Sequence, residues 1–112
     1  MIDETIEKIE KRIKESGSDT TKEKGMEELV ALLETLKEEV AELSKTHAAH
    51  AESIAGFTKV SAHEATRSDQ NPELLEISLK GLTSSVAGIE SSHPKLVEIV
   101  NRMSVMLSNM GI

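Results

Sequence analysis

The sequence lacks cysteine, tryptophan and tyrosine, and Phe57 is its one aromatic residue. Without cysteine, the chain cannot form disulfides, thiolate nucleophiles, iron–sulfur clusters or zinc sites with sulfur ligands. It also lacks the aromatic walls typical of enzyme pockets and the aromatic platforms on which nucleic-acid bases stack. A formal net charge of −7 disfavours binding to phosphate backbones. We therefore expect neither an enzyme nor a partner of nucleic acids.

Long hydrophobic runs are missing as well. No apolar stretch approaches the roughly 18 residues needed to cross a bilayer, and residues 1–4 have neither the basic nor the apolar region of a secretory signal. These features predict a cytoplasmic protein without a membrane partner. No Ser–His–Asp or paired-carboxylate spacing rises above chance, so hydrolytic chemistry is not expected.

An apolar seam with alternating steps of three and four residues runs along residues 20–68. Such spacing is typical of coiled-coil heptads and predicts one long amphipathic helix. Thr20 followed by Glu23 forms a capping-box signature at its start, and Gly56 marks one place where the helix could break. The seam starts at Met26 and continues through Leu29, Leu33, Leu36, Val40, Leu43, His47, His50, Ile54 and Phe57.

A short amphipathic helix is predicted for residues 1–16, ahead of the long one. Its isoleucines step by four, three and four residues, which gives it one narrow apolar stripe. A helix this short is marginal alone, so it docks on the body of the protein, docks on a partner or frays. Residues 17–21 read as a flexible joint and residues 22–112 as the main domain. The stripe consists of Ile2, Ile6, Ile9 and Ile13.

The second half of the chain predicts two further helical segments. Asn71 as N-cap and Pro72 at the first helical position start the first segment. Gly81 and Gly88, beside its seam, indicate a groove for close helix contact or else a softened helix. Pro94 begins a new helix or kinks a running one, and residues 111–112 resemble a Schellman ending. The seam residues are Leu75, Leu79, Leu82, Val86, Ile89, Leu96, Val100, Met103 and Leu107.

Together these elements predict an all-α fold. We expect a long antiparallel helical hairpin with coiled-coil-type packing, its second arm kinked at Pro94, plus the short N-terminal helix. A continuous helix of about 45 residues would be about 70 Å long, which a chain of 112 residues cannot bury by itself. Self-association is therefore expected, with a homodimeric four-helix bundle favoured and an unidentified protein partner as the alternative. The predicted function is a non-catalytic interaction or scaffold module without a cofactor.

Two histidines on the seam suggest an alternative function. If the arms fold back at residues 69–71, residues whose numbers sum to about 140 lie side by side. His47 then faces His93, and His50 faces Glu90. Because Glu-x-x-His on a helix occurs in carboxylate-bridged bundle sites, these four residues could bind zinc or another transition metal. A structural polar layer that fixes helix register explains the same residues.

The C-terminal third of the chain resembles a known family. Residues 88–96, GIESSHPKL, with Val100, Asn101 and Arg102 and the ending LSNMGI, are similar to the C-terminus of the bacterial family known as domain of unknown function 4404. The resemblance is clearest over residues 88–112, extends back to about Met26 and does not cover residues 1–24. It implies a short helical protein without an assigned activity.

Overall fold

Five α-helices make up the part of the chain that the structure describes. The computed structural model describes the backbone of residues 2–16, 20–67 and 69–110, and the side chains of these residues other than 12–16 and 20–23. No strand occurs in these ranges, so the all-α prediction is confirmed. None of these helices combines the length and the apolar character needed to cross a membrane. The helices are α1 (Ile2–Ser16), α2 (Thr20–Ser44), α3 (Ala48–Thr66), α4 (Pro72–Ser85) and α5 (Pro94–Met110).

The helices pack around one shared hydrophobic core. The most extensive contact is between α3 and α4, and α2 packs against α1, α3 and α5. The described part of the chain measures 43 × 26 × 19 Å. The longest helix, α2, has 25 residues and is about 38 Å long, so it fits within the longest dimension of the molecule. The largest side chains that are fully buried are Leu29, Leu33, Leu36, Leu43, Ile54, Leu82, Leu96, Met103 and Leu107.

The predicted long helix is two helices, which corrects the expectation of one continuous rod. It breaks at residues 45–47, not at Gly56, which lies inside α3. The Ser44 hydroxyl donates to the Ala41 carbonyl at 2.7 Å and the Thr46 hydroxyl to the Leu43 carbonyl at 3.4 Å. Such local bonds compete with helix continuation. The break lets the second half of the rod fold back onto the first and bury its apolar face within one chain.

The N-terminal helix docks on the body of the protein. Ile2, Ile6 and Ile9 are buried in the shared core, and α1 packs against both α2 and α3. An ion pair between Asp3 and Lys37 links α1 to α2 at 2.5 Å. The side chain of Ile13, residues 17–19 of the predicted joint and the side chains of the predicted Thr20 capping box lie outside the described residues. The last two joint residues, 20 and 21, already belong to α2.

The start of α4 matches the sequence prediction. Asn71 is the N-cap, and its side-chain oxygen accepts hydrogen bonds from the backbone N–H groups of Glu73 at 3.1 Å and Leu74 at 3.2 Å. Pro72 occupies the first helical position, where its missing N–H costs nothing. The helix therefore starts where the capping signals indicate.

The second arm is interrupted, not kinked, at Pro94. Helix α4 ends at Ser85 and α5 begins at Pro94, with the eight residues 86–93 between them. Gly88 lies in this connection with φ of +90°, a conformation that L side chains rarely adopt. The prediction that Gly88 forms a helix-contact groove is therefore wrong: it is a turn glycine. The predicted Schellman ending at residues 111–112 lies outside the described residues.

All but five of the predicted seam residues are buried. Two of the exceptions are at the helix break, where His47 is exposed and His50 is partly buried. Leu79 and Ile89 are partly buried, whereas Phe57 is 39% exposed and its assignment to the seam is corrected. The break at residues 45–47 changes the phase of the heptad, so that α3 buries Ala51, Ala55 and their neighbours instead. The seam is thus buried inside a single chain. Its residues are not available to a second copy.

Candidate functional site

The structure brings His47 and His93 together, as the fold-back prediction required. His47 is the N-cap of α3, and His93 immediately precedes α5. Their ring centroids are 6.5 Å apart and the rings are nearly perpendicular, at 84°. The His47 Nδ1 atom also lies 2.8 Å from the Thr46 hydroxyl oxygen. Two helix starts therefore meet through an edge-to-face pair of imidazoles.

The other two predicted metal ligands contact the backbone. His50 donates from Nε2 to the Ser85 carbonyl at 2.5 Å, and the Glu90 carboxylate accepts the Gly88 N–H at 2.9 Å. Among the side chains that the structure describes, no three of histidine, aspartate or glutamate are placed to hold a metal ion. The histidines fasten α3 to the end of α4 and to the 86–93 connection, which favours the structural interpretation. Binding of zinc or another transition metal stays a prediction.

Four large apolar side chains are exposed on the packed pair of α3 and α4, and we refer to them as an apolar strip. Phe57 and Val60 are one turn apart on α3, and Leu74 and Ile77 are one turn apart on α4. The Phe57 ring lies over Gly81, so close that a Cβ on that glycine would overlap it. Since Gly81 is four residues beyond Ile77 and seven beyond Leu74, all lie on one stripe of α4. We call Phe57, Val60, Leu74 and Ile77 the α3–α4 face.

Two ion pairs lie near the α3–α4 face. On α3, the Glu64 carboxylate accepts two hydrogen bonds from Arg67 Nη1, at 3.0 and 3.2 Å. On α4, Glu76 and Lys80 form an ion pair at 3.4 Å. These four residues contribute no net charge, although the chain as a whole has a net charge of −7. The surroundings of the apolar strip are locally balanced.

Comparison with known proteins identifies a family. The family model described as "Domain of unknown function (DUF4404)" matches residues 2–112. The chain belongs to this family. The match corrects the expectation that residues 1–24 lie outside the resemblance, and it includes α1, which packs into the shared core. Neither the search of curated proteins nor the search of solved structures found a match.

Sequence reasoning missed most of the α3–α4 face of this DUF4404 chain. It assigned Phe57 to the buried seam and did not single out Val60, Leu74 or Ile77. The available signal was the residue type: these are large apolar residues off the seam, where α2 has mostly Glu and Lys. Leu74 and Ile77 also precede Gly81 at helical spacing. An apolar stripe that the heptad leaves over indicates a second contact surface.

Proposed function

We propose that this protein is a non-catalytic helical interaction module in which two copies pair through the α3–α4 face. One observation carries the proposal: the four large apolar side chains of that face are between 39% and 64% exposed, and they lie on two helices that pack together. Scattered exposed apolar residues are normal on a monomer, but a contiguous patch marks a contact surface. The module would act as a scaffold or adaptor and would need no cofactor.

A second copy of the chain fits this surface by symmetry. The face is the outer side of two packed helices, and two such pairs placed face to face make a four-helix layer. A twofold axis through the contact would pair Phe57 and Val60 on α3 of one copy with Leu74 and Ile77 on α4 of the other. Because the seam residues are already buried, this face is an apolar surface that remains exposed for pairing in the part of the chain that the structure describes.

Electrostatics and shape support pairing of like with like. The flanking ion pairs of Glu64 with Arg67 and Glu76 with Lys80 cancel locally, so two negatively charged copies can meet here without strong repulsion. A Cβ built on Gly56, which lies on α3 four residues before Val60, meets nothing within 4 Å. Small residues at such positions let a partner helix approach closely.

The size of the face sets the expected affinity. Two helices side by side are about 20 Å wide, and the 14 residues of α4 are about 21 Å long. A footprint of about 400 Å² on each copy buries about 800 Å² in total, which is below the range of stable specific interfaces and fits a weak, transient contact. We therefore expect a dissociation constant in the micromolar range, and a protein that is monomeric when dilute and dimeric when concentrated.

Charge substitution within the face tests the proposal. Ile77→Glu places a carboxylate in the apolar strip at a side chain that is 64% exposed, so folding of the single chain is unaffected. Val105→Glu is the matched control, because Val105 is 62% exposed and lies beside Gly25 and Glu28, where α5 meets α2. The masses of the wild type and both variants are measured by sedimentation velocity across a concentration series.

The expected masses are distinct. Wild type and Val105→Glu rise from the monomer mass of 12.2 kDa towards twice that value with increasing concentration, whereas Ile77→Glu stays at 12.2 kDa. A wild type that remains monomeric at submillimolar concentration would contradict the proposal. If both variants weakened the dimer equally, the contact between the two copies would not lie on the α3–α4 face.

A further inference from the structure

A cavity lies between α1 and α3, on a different side of α3 from its contact with α4. Its volume is about 320 Å³, within the range of small-molecule sites. Thr5, Lys8 and Ile9 of α1 form one wall, and the last turns of α3, from Lys59 to Thr66, form the other. The cavity is formed within one chain, but Val60 belongs both to its lining and to the α3–α4 face, so ligand binding is measured at concentrations where the protein is monomeric.

The interior of the cavity is mainly apolar. Ile9 and Ala62 line it and are both buried in the core, and Val60 lines it nearer the surface. An apolar interior of this kind accommodates the hydrocarbon part of a ligand, since removing apolar surface from water is favourable. The cavity therefore suits a ligand with an apolar body.

The charged groups around the cavity favour an anion. Lys8, Lys59 and His63 line it, and neither lysine forms an ion pair with any residue of the described ranges. The one acidic side chain, Glu64, is neutralised by Arg67 at 3.0 Å. In a chain with a net charge of −7, this is a local excess of positive charge. Such a reversal concentrates small anions at the site.

The Thr5 hydroxyl lies beside the cavity but does not open into it. Thr5 is 5% exposed, and its Oγ1 atom is buried without a hydrogen-bond partner among the residues that the structure describes. Buried polar atoms without a partner are costly, so native structures have few of them. The polar contacts open to a ligand in the cavity therefore come from Lys8 and Lys59.

We infer that the cavity between α1 and α3 binds a small carboxylic acid with an apolar body. The carboxylate lies between Lys8 and Lys59, and the hydrocarbon part packs on Ile9 and Ala62. Because the ligand contacts both helices, its binding also holds α1 onto the body of the protein.

Octanoate is the probe for this inference. Isothermal titration of the full chain measures its affinity, and amide chemical shifts locate the site. Octanol, which has the same apolar chain without charge, and octylamine, which carries the opposite charge, are the matched controls. We expect octanoate to bind at least tenfold more tightly than octanol and octylamine to bind least, with the largest shifts at residues 5–9 and 59–66.

Substitutions distinguish a specific carboxylate site from a groove that binds apolar molecules non-specifically. Lys8→Gln combined with Lys59→Gln should weaken octanoate binding at least tenfold, whereas Lys45→Gln with Lys80→Gln, an equal change of charge elsewhere, should leave it unchanged. Thr5→Val should raise the melting temperature of the free protein, because it removes the unpartnered hydroxyl, and should leave octanoate binding unchanged.

Three results would overturn the inference. The first is absence of octanoate binding at millimolar concentration. The second is octanol binding as tightly as octanoate, with no response to the paired lysine substitutions. The third is a set of chemical-shift changes that lies outside α1 and α3.

Discussion

Single residues decide where the helices of this chain end. Asn71 could be identified from the sequence, because an N-cap followed by proline depends on local chemistry alone. Gly88 could not, because a glycine beside an apolar seam is compatible with both a helix groove and a turn. Its φ of +90° is set by the path from α4 to α5, which is a tertiary feature.

Replacing Gly88 by alanine tests the turn assignment. The Cβ of alanine would meet nothing within 4 Å, so any effect comes from the backbone conformation and not from a clash. We expect Gly88→Ala to destabilise the protein by about 1–2 kcal/mol, the cost of a left-handed conformation for an L residue. Urea denaturation of wild type and variant measures this difference. A variant as stable as the wild type would show that the 86–93 connection has a different backbone.

At the scale of helices, the sequence indicates which residues are buried but not where one helix gives way to the next. The alternating three- and four-residue spacing from Met26 to Phe57 is not interrupted at His47, so periodicity alone predicts one continuous helix. The break at residues 45–47 depends on bonds from Ser44 and Thr46 to nearby carbonyls and on the core that it allows to form. The packing of this core is a tertiary feature, and local sequence patterns do not predict it.

Two glycines on facing helices give opposite predictions for the same substitution. Gly56→Ala should stabilise the chain by about 1 kcal/mol, because the added methyl meets nothing and alanine is the better helix former. Gly81→Ala gains the same propensity but displaces the ring of Phe57. We therefore expect a net change between zero and about 1 kcal/mol of destabilisation.

Chemical denaturation of both glycine variants in the Ile77→Glu background measures folding without a contribution from self-association. If Gly81→Ala stabilised the chain as much as Gly56→Ala, Phe57 would not pack on α4 as described.

The contact of α1 with α2 has a pH dependence of known sign. The hydrogen bond between the Asp3 and Lys37 side chains holds the pKa of Asp3 below its usual value and raises the pKa of Lys37. The stabilisation from Asp3 is therefore present above the usual aspartate pKa of about 3.9 and is lost as the pH falls through the lowered pKa. The contribution from Lys37 is lost as the pH rises through its raised pKa.

Asp3→Asn tests this linkage. Both side chains are largely exposed, so we expect a small decrease in melting temperature at neutral pH that salt reduces. The difference between wild type and variant should vanish at strongly acidic pH, where Asp3 is protonated. Melting curves recorded at several pH and salt values measure it. A difference that persists unchanged in acid would assign the effect to helix capping or packing.

For the whole molecule, the sequence predicts which residues are buried better than it predicts which helix covers them. The helical seams are buried, and His47 lies beside His93 as the fold-back register requires. The seam was expected to join two copies, but it is buried by other helices of the same chain. Periodicity identifies the apolar side of a helix but not whether a helix of the same chain or of another one covers it. The α3–α4 face became apparent only after the intramolecular contacts were known.

The distance between equivalent residues of two copies tests the central claim most directly. The chain has no cysteine, so Ser53→Cys places one spin label on α3, four residues before Phe57, and Asn101→Cys places one on α5, four residues before Val105. Dipolar spectroscopy on each labelled protein at dimer-forming concentration gives the separation. Pairing through the α3–α4 face predicts a shorter distance between the two Ser53 labels than between the two Asn101 labels. The reverse order would contradict it.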